Sequence, residues 1–188
     1  MRKLVVSTWV ALDGVFDADS METWFNPFDS EERQTYIKEV VFASDAILVG
    51  RVTYEMLASY WPNQKHNEFG IADRLNGMPK YVVSSSLKNA EWNNSTVIKG
   101  QVAEQVSNLK RQAGHDIVIF GSATLVQSLL PANLIDEVKL LVHPVVMGRG
   151  KRFFKEGMTA RLKLVRTKPL GSGVIAVAYA PIQISSSR

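Results

Sequence analysis

The stretch Ala46-Ile47-Leu48-Val49-Gly50-Arg51-Val52-Thr53-Tyr54-Glu55 carries the reading of the fold. A short unbroken apolar run stopped by glycine has the look of a strand buried on both faces. The pattern then changes: Thr53 to Tyr60 reads as a helix, which Trp61-Pro62 ends. The same design returns at Ile117-Val118-Ile119-Phe120-Gly121-Ser122-Ala123-Thr124, where Leu125, Val126, Leu129 and Leu130 mark a helix that stops at Pro131. A third strand end, Val82-Val83-Ser84-Ser85-Ser86, closes a strand over Lys80 to Ser84. Buried strands that feed helices through glycine turns build parallel sheets.

Working outward, Leu4 to Val10 reads as a buried strand that ends at Asp13-Gly14. Residues 17 to 30 are polar, with proline punctuation, and read as a long loop. Glu31 to Ala43 sets Tyr36, Ile37, Val40 and Val41 at the spacing of one helix face, with Ser30 as N-cap. Residues 62 to 78 read as irregular, with one short helix near Ile71. Thr96 to Lys99 is a short strand, and Val102, Val106 and Leu109 mark a helix closed by Gly114. Glu137 to Val146 reads as a long strand with a bulge or an edge at Pro144. Leu162 to Thr167 and Val174 to Tyr179 form a hairpin around Gly171-Ser172-Gly173. The sum is an open α/β sheet, mostly parallel with an antiparallel edge. It forms a single domain over 1–182, with a polar tail at 183–188.

Composition sets the outer limits. The chain has 188 residues and no cysteine, which excludes disulfides, zinc–thiolate sites, iron–sulfur clusters and a thiol nucleophile. Lys and Arg number 22 against 18 Asp and Glu, a formal charge of +4, with no run of five like charges. A nucleic-acid stripe is not expected from that pattern, whereas an anionic small molecule suits it. The first apolar stretch is too short and too interrupted for a signal peptide or a membrane span, so a cytoplasmic protein is expected.

The chemistry is sought at the three strand ends. Glycine lets backbone approach a ligand closely, and a helix N-terminus offers unpaired N–H groups to a phosphate. Arg51 adds a fork of donors; Thr53 and the serines add hydroxyls. Ligands of open α/β sheets bind beyond the carboxyl ends of strands, so the three ends together suit a dinucleotide. Taken singly, each turn reads first as plain turn chemistry, with Thr53 and Ser122 as simple N-caps. The G-x-G-x-x-G and P-loop patterns are missing, as are H-E-x-x-H and G-x-S-x-G. His66, His115 and His143 read as surface or packing residues. For Trp9, Trp24, Trp61 and Trp92 core packing is the first reading, with pocket lining as the alternative for the first three. Gly148-Arg149-Gly150-Lys151-Arg152 before Phe153-Phe154 reads as a basic turn with an aromatic anchor.

With these residues in view, the chain resembles the dihydrofolate reductase superfamily. The resemblance rests on Leu12-Asp13-Gly14, Gly50-Arg51-Val52-Thr53-Tyr54-Glu55, Phe120-Gly121-Ser122-Ala123 and Leu134-Ile135-Asp136-Glu137, in that order. Within it, His143-Pro144-Val145-Val146-Met147-Gly148-Arg149-Gly150 resembles the branch that contains the reductase domain of bacterial riboflavin biosynthesis. The likeness covers about residues 3 to 180. It implies a three-layer α/β/α fold with a mixed sheet of about eight strands and an antiparallel C-terminal edge.

The resemblance also implies an NADPH site. Gly50, Arg51 and Thr53 would face the adenosine phosphates, and Ser84, Ser85 and Ser86 the 2′-phosphate ribose. Gly121, Ser122, Ala123 and Thr124 would hold the pyrophosphate, and Val10, Asp13, Gly14 and Phe16 would border the nicotinamide. Dihydrofolate reductases carry an acidic residue on the first helix; Gln34 falls near that position, one turn after Glu31. The implied activity is hydride transfer to a small heterocycle of pterin or ribosylaminopyrimidine type. Asp13 would stand near the hydride path, and Glu31 or Gln34 would anchor substrate. A nucleotide-binding module without turnover is the alternative. The resemblance implies a homodimer, with the exposed C-terminal edge as one surface for it.

Overall fold

A computed structural model describes residues 1–64 and 66–182. Eight strands form one sheet: β1 (Leu4–Ala11), β2 (Ser44–Gly50), β3 (Lys80–Val83), β4 (Ser95–Ile98), β5 (Asp116–Phe120), β6 (Glu137–His143), β7 (Leu162–Pro169) and β8 (Ile175–Pro181). Their order is β4-β3-β2-β5-β1-β6-β8-β7. All pairs from β4 to β6 are parallel; β8 runs antiparallel to β6, and β7 antiparallel to β8. The helices are α1 (Met21–Trp24), α2 (Glu31–Ala43), α3 (Arg51–Tyr60), α4 (Ala72–Gly77), α5 (Val102–Arg111) and α6 (Ala123–Leu129).

The unbroken apolar runs of the central strands now have a cause. Ile117 and Ile119 point to one face and pack with Val106 and Leu109 of α5 and Val126 and Leu129 of α6. Val118 points to the other face, as do Ile47 and Val49, and meets Tyr36, Val40 and Val41 of α2 and Leu75 of α4. Alternation along a strand serves two cores at once, so no polar position survives. Each such buried side chain contributes about 1.5–3 kcal/mol.

Helix α2 has the bounds read from sequence, and Ser30 caps it by accepting the N–H of Arg33 at 3.2 Å. Several boundaries differ. Helix α3 starts at Arg51, with Gly50 at the N-cap, so Thr53 lies inside its first turn. Strand β6 ends at His143, before Pro144, which has no N–H to offer a ladder. The register shift of this region lies instead in β7, between Leu164 and Arg166. Gly114 does not close α5, whose C-cap is Gln112. Its φ of +142° serves a close approach, since a Cβ there would lie 2.5 Å from Oδ2 of Asp45. The hairpin turn at Gly171-Ser172-Gly173 is present, with Ser172 and Gly173 in the left-handed region at φ +62° and +79°. The tail 183–188 lies outside the described residues.

The segment 17–30 is the largest correction. It is not a loop but a chain of short helical turns: a 3-10 turn at Ala18–Ser20, then α1, then a 3-10 turn at Asn26–Phe28. Trp24 explains it. The indole is buried to 1% exposure and donates from Nε1 to the carbonyl of Asp17 at 3.0 Å. One large aromatic fixed on a polar segment pulls that segment onto the domain.

Candidate active site

A cleft of about 710 Å³ crosses the carboxyl ends of β1, β2, β3 and β5. That volume lies in the upper part of the range occupied by small-molecule sites. Thr8 and Trp9 enter it from β1, Gly50, Arg51 and Thr53 from the β2–α3 turn, and Gly121, Ser122, Ala123 and Thr124 from the β5–α6 turn. Strands β2 and β5 are neighbours, so the two glycine turns stand side by side.

The turns are tied together by one hydroxyl. Ser122 Oγ accepts the N–H of Gly50 at 3.0 Å and donates to Oγ1 of Thr53 at 3.0 Å. Ser122 is therefore the N-cap of α6 in position only; its side chain makes no capping bond, and its φ is +53°. The N–H groups at the start of α3 remain free of helix partners and open towards the cleft. Arg51 projects from the same turn, and both carboxylate oxygens of Glu55 accept from it, at 3.0 and 2.9 Å. Backbone donors, hydroxyls and a guanidinium at one end of a cleft fit the phosphates of a dinucleotide cofactor.

The other end of the cleft is aromatic and apolar. Phe16 lines it from just before the 17–30 segment, Met21 and Trp24 from within it, Ile37 and Val41 from α2, and Trp61 and Trp92 from beyond α3. All four tryptophans thus line the cleft, the alternative reading for three of them; Trp24 and Trp92 are core residues as well. Trp92 is held in place by Lys80, whose Nζ stands 4.3 Å over the indole and donates to the carbonyls of Asn76, Met78 and Asn93. Burial pushes the Lys80 ammonium down to about 8.

Of the residues expected at the site, the structure brings together Phe16, Gly50, Arg51, Thr53, Gly121, Ser122, Ala123 and Thr124. The others stand elsewhere. Val10 is packed in the core. Ser84 turns inward to accept the N–H groups of Ser86 and Leu87, at 3.2 and 2.9 Å, and Val83 rather than Ser84, Ser85 or Ser86 lines the cleft. Glu31 is exposed on the first turn of α2. Gln34 donates to Oδ2 of Asp29 at 2.7 Å. Neither reaches the cleft, because α2 presents Ile37 and Val41 to it.

Asp13 and Gly14 belong to a clamp. Asp13 Oδ2 accepts the N–H of Gly148 at 2.8 Å, Arg152 donates to the Asp13 carbonyl, and the Gly14 carbonyl accepts the N–H of Phe153 at 3.0 Å. The Gly148 bond, ahead of the smaller effects of other backbone groups and Arg152, holds the Asp13 carboxyl below the usual carboxylate range. The clamp seats the basic turn 148–152 so that Lys151 reaches the cleft. Gly150, at φ +116°, permits it: a Cβ there would meet Val15 at 2.9 Å.

Sequence reading missed Asp17 and Asp19, two acidic residues of the cleft lining, because the polar pattern of their segment reads as a loop. It also missed the buried Arg33. That guanidinium donates to the carbonyl of Phe25 and to Oδ1 of Asp29, both at 2.7 Å, and faces Nε2 of His143 at 3.4 Å. His143 is fully buried, and its Nδ1 lies 3.1 Å from the Leu141 carbonyl. Burial, with a smaller push from Arg33, lowers the imidazole to about 4, so it is neutral, with Nδ1–H donating and Nε2 accepting. Among the described residues no group of three His, Cys, Asp or Glu could hold a metal ion, and no helix is long and apolar enough to cross a membrane.

Comparison with known proteins matches these features. The family model of the RibD C-terminal domain matches residues 2–176. The uncharacterized protein YyaP of Bacillus subtilis (strain 168) is 29% identical over 95% of this chain and 94% of its own. A pyrimidine reductase-like protein from Corynebacterium diphtheriae superposes with a TM-score of 0.68 at 14% identity, covering 97% of this chain and 93% of that one. A dihydrofolate reductase from Enterococcus faecalis, solved with NADP(H), gives a TM-score of 0.66 at 16% identity, covering 96% and 97%. The fold is that of the dihydrofolate reductase-like proteins.

Proposed function

The chain belongs to the RibD C-terminal domain family, and on that footing we propose that it is an NADPH-dependent reductase acting on a small heterocyclic substrate. The observation that carries this reading is the pair of glycine turns, stitched by Ser122, that open α3 and α6 into one cleft. Bound there, NADPH supplies a hydride. The chain's own task is to bind, orient and keep water out. The first turn of α3 and Thr53 hold phosphate oxygens, and Thr124 adds a hydroxyl from the second turn. Arg51 meets the extra phosphate of NADPH by exchanging Glu55 for it. Ser85 and Ser86, exposed beyond the end of β3, would meet the adjoining ribose. Phe16 and the end of β1 border the nicotinamide, and the tryptophan-lined end receives the substrate.

The same reading includes a homodimer in the cytoplasm, assembled through the C-terminal edge. Leu164 and Ile175 are exposed on one face of the β7–β8 hairpin, where an apolar partner surface would cover them. A monomer in light scattering would refute that assembly.

Fluorescence titration with NADPH, followed by a panel of pterins and ribosylaminopyrimidines, tests the activity. Saturable binding with substrate-dependent oxidation is expected. Binding without oxidation by any member would leave a nucleotide-binding module.

A further inference from the structure

We infer that the substrate of this cleft is a flat heterocycle, neutral or cationic, that presents N–H donors and carries no phosphate ester. The inference rests on the reductase reading above and concerns the end of the cleft that the cofactor leaves open.

The ionisable side chains lining the cleft are Asp17, Asp19, Arg51 and Lys151. Arg51 stands at the phosphate-suited turn beside Glu55. What remains for a substrate is two carboxylates against one ammonium. A phosphate monoester brings close to two negative charges at neutral pH. Set in this cleft, it would meet more repulsion from the half-buried Asp17 and the exposed Asp19 than attraction from the exposed Lys151.

Both carboxylates are available. The ion pairs of the described residues use Asp29, Asp45, Asp136, Glu55 and Glu137, and neither Asp17 nor Asp19 is among them. Asp17 is also well placed. Its carbonyl is held by Trp24 Nε1 at 3.0 Å, and its carboxylate lies against Gly150, next to Lys151. An ionised carboxylate only accepts hydrogen bonds, so it selects amino or ring N–H groups. Ile37 and Val41, which α2 contributes to the cleft, offer no polar partner, and the indoles of Trp9 and Trp24 suit a flat ring. The anchoring carboxylates thus come from the segment before α1 and not from α2.

The test uses two probes that differ in one group, 5-amino-6-ribosylaminouracil and its 5′-phosphate. Calorimetric binding of each is measured on the full chain saturated with NADPH. The riboside is expected to bind at least about tenfold tighter than the phosphate. In the double variant Asp17→Asn, Asp19→Asn the two affinities should come within about threefold, mostly through weaker riboside binding. Tighter binding of the phosphate, an unchanged ratio in the double variant, or no binding of either probe overturns the inference. NADPH titration of the same samples keeps the outcomes apart: absent cofactor binding removes the reductase reading itself, whereas intact cofactor binding with the wrong preference removes only the substrate class.

Discussion

Ser122 holds Gly50: its hydroxyl accepts the Gly50 N–H at 3.0 Å, so the turn after β5 is fastened to the turn after β2. Ser122→Ala leaves that N–H without an acceptor and should cost about 1–3 kcal/mol. Ser122→Gly loses the same bond but relaxes a left-handed backbone, worth roughly 1 kcal/mol. The alanine variant should therefore unfold at lower urea than the glycine variant, with both below the parent. Equal urea midpoints for the two variants would remove the backbone part of the argument.

Arg51 and Glu55 make a separable prediction. The pair is exposed and one helical turn apart, so breaking it should cost less than about 0.5 kcal/mol. Arg51→Ala should weaken NADPH about tenfold or more and leave NADH within about twofold, because charge-assisted phosphate bonds are the strong ones. Glu55→Gln frees the guanidinium and should tighten NADPH a few-fold. Equal losses for both cofactors in Arg51→Ala would sink the phosphate role.

Asp13 is expected to act on a loop. Its depressed carboxyl favours the folded state above the ordinary carboxylate range, and that contribution fades as pH falls through the lowered value. Asp13→Ala should speed trypsin cleavage after Arg149, Lys151 or Arg152 roughly tenfold, since local opening governs such cuts. If Asp13 instead served the hydride path, Asp13→Asn would lower turnover while the cleavage rate stayed at that of the parent.

His143 sets a pH dependence. The folded ring titrates near 4, below its ordinary 6.5. Between those values the unfolded chain takes up a proton that the folded chain refuses, so stability falls as pH drops from 6.5 towards 4 and the loss levels off below it. The shift corresponds to about 3 kcal/mol at most. Urea midpoints at several pH values should show the slope, and His143→Gln should flatten it in that window. An unchanged slope in the variant would assign the effect to other groups.

Much of the fold was legible because its signals are local. Ser30 and the spacing of Tyr36, Val40 and Val41 mark α2 without reference to anything else. The runs around Ile47 and Val118 announce strands buried on both faces. What sequence does not carry is direction. Asp13, Glu31 and Gln34 lie at suitable places along the chain, yet the clamp, solvent and Asp29 respectively claim them. The segment 17–30 was illegible for a related reason: Trp24 packs on His143 of β6, ring centroids 5.4 Å apart, a partner far away along the chain.

The position of β1 has a bearing on how the chain is made. Leu4–Ala11 is made before the other seven strands, yet its ladder partners are Ile117 to Phe120 on one side and Glu137 to His143 on the other. The chain must be made as far as Ile117 before this apolar strand finds either neighbour. Until then LVVSTWVA is an unpaired β-former that needs shielding in the nascent chain.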